Sequence, residues 1–284
     1  MCYLKKIIKS IFKNLIYWLV WTLGLTFIGR YIYAQIIKIV MDRSQVVSHD
    51  GLPLTFFTPN ALNQYRADTF STKEPETLDW IDSMPTGSIL WDIGANVGLY
   101  SCYAAKKRNC KVFAFEPSVF NLEILAKNIF INNLTNLVTI IPLPLSNMMA
   151  INKLNMTNTE WGGALSTFGQ DFGHDGLPMT KVFSYSTIGL SMVDAAEKLM
   201  IPIPNFIKMD VDGIEHLILE GGMTILHKAQ GVLIEINDQF LLQSDKATKY
   251  LRSAGFYLKE KLHAEYFNDI ENSAKYTYNQ IWTK

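Results

Sequence analysis

One block constrains the fold more than any other: Ser88-Ile-Leu-Trp-Asp-Ile-Gly-Ala-Asn-Val-Gly-Leu-Tyr, an apolar run that leads directly into a glycine-punctuated turn and a helical pattern. Gly94 permits close backbone approach or an unusual φ, and Gly98 permits tight packing of helix and strand. The exposed N–H groups and the dipole at the helix start favour a polar ligand. The same rhythm of short apolar runs and helical patterns continues. Strands are predicted near 88–91, 111–115, 137–141, 206–209 and 232–236, and helices near 97–107, 119–131, 213–227 and 240–254. Parallel strands joined by helical crossovers make a doubly wound α/β sheet. The runs 255–259 and 277–282 read as closing edge strands, and 44–71 as a connecting stretch. About sixty residues, 146–205, separate two strands where two to six are usual, so this insert needs structure of its own. Strands at 151–155 and 181–185, a helix at 191–199 and a glycine-rich loop at 160–176 are expected in it, and long loops at this sheet edge are where acceptor specificity is built.

The turn is G-A-N-V-G, with Asn96 where a dinucleotide-binding turn needs glycine against the pyrophosphate. Asp92 ends its strand in position to bind an ammonium. Glu116 ends the next strand, where a carboxylate can accept both hydroxyls of a ribose. A ligand with an amino acid at one end and a nucleoside at the other suits that layout, and S-adenosylmethionine is such a ligand. Two other readings stand beside it: a nicotinamide oxidoreductase on a similar sheet, which Asn96 disfavours, and a catalytically silent scaffold, which the joint presence of Asp92, Glu116, Lys208 and Asp210 disfavours.

Over roughly 65–237 the sequence resembles the FkbM-type S-adenosylmethionine-dependent methyltransferases. The resemblance is carried by Tyr65-Arg66 with Lys73-Glu-Pro-Glu-Thr, the Asp92-Ile-Gly-Ala-Asn-Val-Gly block, Phe115-Glu-Pro, Leu145-Ser-Asn, Ile207-Lys-Met-Asp-Val-Asp-Gly-Ile-Glu and Ile234-Glu-Ile-Asn. It implies a class I, Rossmann-like, mostly parallel sheet with an antiparallel final strand, and O-methylation of hydroxyls on sugars or other natural products. By that analogy Glu74 lies over the cofactor pocket, Asp92, Gly94, Asn96 and Gly98 surround the methionine end, and Ser146 lies near the adenine. Asp212 departs from the family, which more often has glutamate there.

A sugar hydroxyl is a poor nucleophile while protonated, so a base or a bound metal must take or weaken that proton. Lys208 and Asp210 alternate onto one side of a strand end, and Asp210 is expected as base or metal ligand with Lys208 as its electrostatic partner. Glu215 and Glu235 are expected in the substrate site. Asp210, Asp212 and Glu215 together form a candidate Mg²⁺ site, because clustered carboxylates repel unless a cation joins them; Asp212 and Glu215 equally suit the start of a helix. His216 falls among core-like residues and reads as structural. His174, in the insert, could reach an acceptor hydroxyl.

Charge separates the first 45 residues from the rest. Formal net charge is zero, which disfavours a nucleic-acid partner. Yet 1–45 hold Lys5, Lys6, Lys9, Lys13, Arg30, Lys38 and Arg43 against Asp42 alone, leaving the remaining chain acidic. Residues 15–29 are uncharged and apolar, but shorter than the roughly 20 a spanning helix needs. The expectation is peripheral or monotopic contact at the cytoplasmic membrane face through 1–45, with a true span or packing on the protein's own core as alternatives, and 46–284 as the methyltransferase domain. The acceptor would be a sugar- or lipid-linked hydroxyl. Cys2, Cys102 and Cys110 make no metal or disulfide pattern, consistent with a reducing compartment.

Overall fold

The computed structural model describes residues 2–262 and 273–284. Helices α1 (Cys2–Gly24) and α2 (Phe27–Met41) come first. A hairpin follows, β1 (Ser44–His49) and β2 (Leu52–Phe57), then α3 (Ala61–Asp68) and α4 (Pro75–Asp82). The alternating part runs β3 (Ile89–Ile93), α5 (Leu99–Arg108), β4 (Lys111–Phe115), α6 (Val119–Ile131) and β5 (Val138–Ile141). The insert contributes β6 (Ala150–Met156), β7 (Ser166–Phe168), β8 (Phe183–Gly189) and α7 (Met192–Lys198). The chain then returns through β9 (Phe206–Met209), α8 (Glu215–Glu220), α9 (Met223–Leu226), β10 (Gly231–Asn237), α10 (Leu241–Ser253), β11 (Tyr257–Leu262) and β12 (Thr277–Thr283).

The main sheet has the order β11-β12-β10-β9-β3-β4-β5. Pairing is parallel from β10 to β5, and β12 runs antiparallel to both neighbours. This is the α/β, mostly parallel sheet with an antiparallel final strand expected from the sequence. Its central strands are apolar on both faces because each face is covered. Leu90, Val112, Ala114 and Leu233 pack into one core, and Trp91, Phe115, Ile207 and Val232 into the other. The order reverses between β3 and β9, which opens a crevice at the carboxyl ends of these strands.

Several elements differ from expectation. The stretch 44–71 is not a bare connection: Asp50 and Gly51, both at positive φ, turn β1 into β2, the backbone a two-residue hairpin turn requires. The 213–227 helix is two short helices. Gly221 and Gly222 interrupt it where the backbone at Asn147 passes so close that a Cβ on Gly221 would lie 2.7 Å from its carbonyl oxygen. β12 is not an edge strand but lies between β10 and β11. The insert folds as a three-stranded antiparallel sheet, β7-β6-β8, which includes a short strand inside the expected glycine-rich loop. Cys102 and Cys110 are buried free thiols.

Candidate active site

β3, β4 and β9 end side by side and bring Asp92, Glu116, Lys208 and Asp210 to one edge of the sheet. Gly94, at φ +85°, makes the turn possible: a Cβ there would lie 1.8 Å from the Asp210 carbonyl oxygen. Gly98, at φ +79°, starts α5 and faces Leu125, whose Cδ1 would be 2.3 Å from an added Cβ. It supports the turn from behind rather than lining the crevice.

Asp92 is buried. Its Oδ2 accepts from Ser101 Oγ at 2.5 Å, and its Oδ1 has no hydrogen-bond partner among the described residues. Burial raises its pKa, against the pull of Lys208. Asn96 adopts φ +51°. Its N–H donates to Glu116 Oε2 at 2.7 Å and its Nδ2 to the Gly163 carbonyl at 2.9 Å, leaving Oδ1 buried and unpartnered among the described residues. Glu116 Oε1 accepts from the Ser118 N–H at 2.8 Å and from Asn121 Nδ2 at 3.4 Å. Asp92 is therefore held from α5 and Glu116 from the β3 turn and the start of α6, each with lone-pair capacity to spare.

A buried ammonium organises the acids. Lys208 lies opposite Asp92 in the β3–β9 register, 3.3 Å from Asp210 Oδ2 and 5.1 Å above the Tyr100 ring. Burial alone would lower its pKa, but Asp210, Asp92 and Glu74 together raise it, so it stays charged. Glu74, also buried, pairs with Lys73 Nζ at 2.7 Å. Although burial opposes ionisation, Lys73 and Lys208 hold Glu74 down to about 2. Burial, and then the charges of Asp210 and Glu74, raise the pKa of Glu235 on β10 well above its ordinary value. All of these groups line a cavity of about 470 Å³, together with Arg66, Tyr100, His174 and Asp212. That volume lies within the range of small-ligand sites. An adjoining recess is lined by Phe115, Glu116, Pro117, Leu143, Leu145 and Phe168, and shares Gly94, Asn96, Asp210 and Asp212 with the first.

The insert roofs the cavity through a loop held by its backbone. Asn60 and Asn63 donate to the Trp161 carbonyl, Arg66 donates twice to that of Gly162, and Asn96 and Asn121 donate to that of Gly163. Asp212 Oδ2 accepts the N–H groups of Leu165 and Ser166 at 2.7 and 3.1 Å. Asn121 lines the recess and Tyr100 the cavity, and neither was expected from the sequence. Tyr100 closes the quoted glycine block two residues after Gly98, so helix periodicity was the available signal.

Two expected residues lie elsewhere. Glu215 is almost fully buried and accepts from the N–H groups of Val211 and Gly213 and from Gln243. It folds the loop after β9 and is not brought to the cavity. Ser146 lies one residue past the lining Leu145, with its N–H donated to the Leu190 carbonyl. Asp210, Asp212 and Glu215 do not converge as metal donors, because Asp212 and Glu215 spend their oxygens on separate backbone segments. Among the described residues, the group spaced to share an ion is His49, Asp50 and Asp82. There the Lys107 ammonium already sits 3.7 and 3.5 Å from the two carboxylates. His216 packs edge-on to Phe240 in the core, as a structural histidine does.

The buried acids set a pH response. Burial pushes Glu116, Asp212 and Glu215 up to about 7. The folded state thus keeps protons that the unfolded chain releases above about 4, and stability falls as pH rises through 7. His216 acts oppositely: burial lowers it to about 4, and its contribution is complete by about 6.5, the pKa of the unfolded chain's histidine. The melting temperature is therefore expected to fall between about pH 6.5 and 8; a flat or rising profile by scanning calorimetry would contradict this placement of the three carboxyls.

The Methyltransferase FkbM domain family model matches residues 92–258. The Hexuronic acid methyltransferase AglP of Haloferax volcanii is 26% identical over 161 residues, 52% of this chain and 56% of that protein, so the match spans little more than half of the relative. A Streptococcus mutans structure described as a SAM-dependent methyltransferase superposes with a TM-score of 0.50 at 9% identity, covering 85% of this chain and 55% of that one. Precorrin-6y C5,15-methyltransferase from Geobacter metallireducens gives 0.43 at 14% identity, with 74% and 86% covered.

Proposed function

Because the chain belongs to the FkbM methyltransferase family, we propose that it transfers the methyl group of S-adenosylmethionine to a hydroxyl of an uncharged sugar, in a glycan or glycolipid. The observation that carries this reading is the arrangement of carboxylates: Asp92 and Glu116 at the tips of neighbouring strands, with Asp210 at the next tip in the shared wall. The residues fit the cofactor. The unpartnered Asp92 Oδ1 and Asn96 Oδ1 would take the donors of its amino-acid end, Glu116 a ribose hydroxyl, and the apolar recess beside Phe115 and Leu143 its base. When bound, S-adenosylmethionine supplies an electrophilic methyl on a sulfonium.

The protein's own part is positioning and proton handling. Lys208 fixes the Asp210 carboxylate, whose free oxygen takes the proton of the acceptor hydroxyl as that oxygen attacks. Glu235, whose burial favours the neutral form, lines the same cavity and would donate to a neighbouring acceptor oxygen. The loop from Trp161 to Ser166 keeps water from the reacting centre. Arg66, Lys73 and Lys208 are balanced in this lining by Glu74, Asp92, Asp210 and Asp212, which leaves no excess positive charge to draw an anionic acceptor. With methyl-labelled cofactor, neutral glycosides or glycolipids are expected to take up label that survives mild alkali, as an ether does. Label released by alkali would overturn the hydroxyl reading, and alkali-stable label confined to uronic acids would overturn the uncharged sugar.

A further inference from the structure

α1 and α2 lie outside both cores, and over the stretch between Lys13 and Lys38 their side chains are predominantly apolar and exposed. Trp18, Trp21, Phe27, Ile28, Tyr31 and Ile39 are each more than half exposed. A helix that is apolar all round is stable only when something covers it, and a patch of this extent exceeds what a soluble surface ordinarily carries. Neither helix is long and apolar enough to cross a membrane alone, and the pair is bent by 113° at the break between them.

The break is built. Gly29 approaches the Leu23 carbonyl so closely that a Cβ would lie 1.8 Å from its oxygen, and Thr26 Oγ1 caps α2 by accepting from the Gly29 N–H at 2.9 Å. Several carbonyls near the end of α1 find donors. Val20 accepts from Tyr33 OH, Thr22 from the Leu25 N–H, and Leu23 from the Thr26 N–H and hydroxyl. Gly24 and Leu25 accept from Arg30 Nη1, at 3.4 and 3.1 Å. A bend in water needs no such provision, because water satisfies its carbonyls. A bend in hydrocarbon does. Arg30 is compensated there by the negative end of the α1 dipole.

Charge marks the depth. Going outward from the break, the first cation on α1 is Lys13 and, after Arg30, the next on α2 is Lys38. Each arm is thus about 16 Å long at roughly 1.5 Å per residue, close to half of a roughly 30 Å hydrocarbon core. Lys9 and Lys13 on one arm and Lys38 and Arg43 on the other would meet the headgroups together.

We propose that α1 and α2 form a re-entrant hairpin seated in one leaflet of an anionic membrane, with both arms leaving on the side that carries the catalytic domain. The full chain is expected to float with vesicles rich in phosphatidylglycerol and to bind phosphatidylcholine alone at least tenfold more weakly, since each of these four basic residues contributes up to about 1 kcal/mol at an anionic surface and tenfold needs only about 1.4 kcal/mol. K9E/K13E/K38E should reduce flotation on the anionic vesicles by a similar factor, and the fold is not at risk because these side chains face solvent. In a C2S/S10C chain added to preformed vesicles, the thiol introduced near the start of α1 should react with a membrane-impermeant maleimide. Failure to float on either vesicle, or a detergent-free dimer that buries Trp18 and Trp21 instead, would overturn the proposal. So would protection of that thiol, which would mean that α1 crosses.

Discussion

Replacing Gly94 with alanine is expected to abolish cofactor binding and to lower the melting temperature by roughly 6 to 12 °C, the shift that a loss of about 3 kcal/mol produces in a chain of this size. Two costs combine. The residue sits at φ +85°, which a Cβ makes unfavourable by about 1 to 2 kcal/mol, and that Cβ would lie 1.8 Å from a backbone oxygen, the Asp210 carbonyl. A flexible side chain could move aside, but a carbonyl at the tip of a central strand can move only by shifting β9 against β3. The displacement would carry Asp210 and the Asn96 N–H bond to Glu116 with it. G98A is the control: its added methyl meets the end of the Leu125 side chain, so a smaller loss of stability and retained binding are expected. Equal behaviour of the two variants in a thermal-shift titration would show that the turn does not depend on the close approach to β9.

Replacing Asp210 with asparagine should lower methyl transfer by about 10² to 10⁴, the contribution of a positioned base, while cofactor affinity changes by less than about threefold, under roughly 0.7 kcal/mol. The separation follows from the surroundings of Lys208. Asp92 and Glu74 still flank the ammonium when Asp210 loses its charge, so the buried cation keeps partners and the fold survives. The amide preserves shape and hydrogen bonding but cannot take a proton. A variant with wild-type kcat on an authentic acceptor would remove Asp210 from the chemistry, and one that lost cofactor binding in parallel would make it a positioning residue instead.

The parallel sheet was legible in the sequence because its signals are local: apolar runs of strand length, glycines at the turn, and carboxylates at strand ends. Asp92, Glu116, Lys208 and Asp210 were found this way, and the structure gathers them at one sheet edge. What periodicity could not give was the use of each oxygen. Glu215 and Asp212 look like a cation site in one dimension, yet Glu215 binds the N–H groups of its own loop, and Asp212 binds those of Leu165 and Ser166, contacts that depend on how the insert folds back. Asn121 was invisible for the same reason, since its partners Gly162 and Gly163 lie 41 and 42 residues away in the chain. The β1–β2 hairpin was legible and overlooked: Asp50-Gly51 between two apolar runs is a strong turn signal. The place of β12 inside the sheet was not, because edge and interior strands of this length share one pattern.

Whether the crevice at the carboxyl ends of β9, β3 and β4 seats a sulfonium nucleoside is tested most directly by isothermal titration of the full chain with S-adenosylmethionine, set beside the same titration of D92A and E116A. One-to-one binding by the wild type, weakened about tenfold or more in each variant, as loss of roughly 1.4 kcal/mol or more requires, and matched by no binding of NAD, is the expected result. Absence of binding to the folded wild type, or binding untouched by both substitutions, would contradict it.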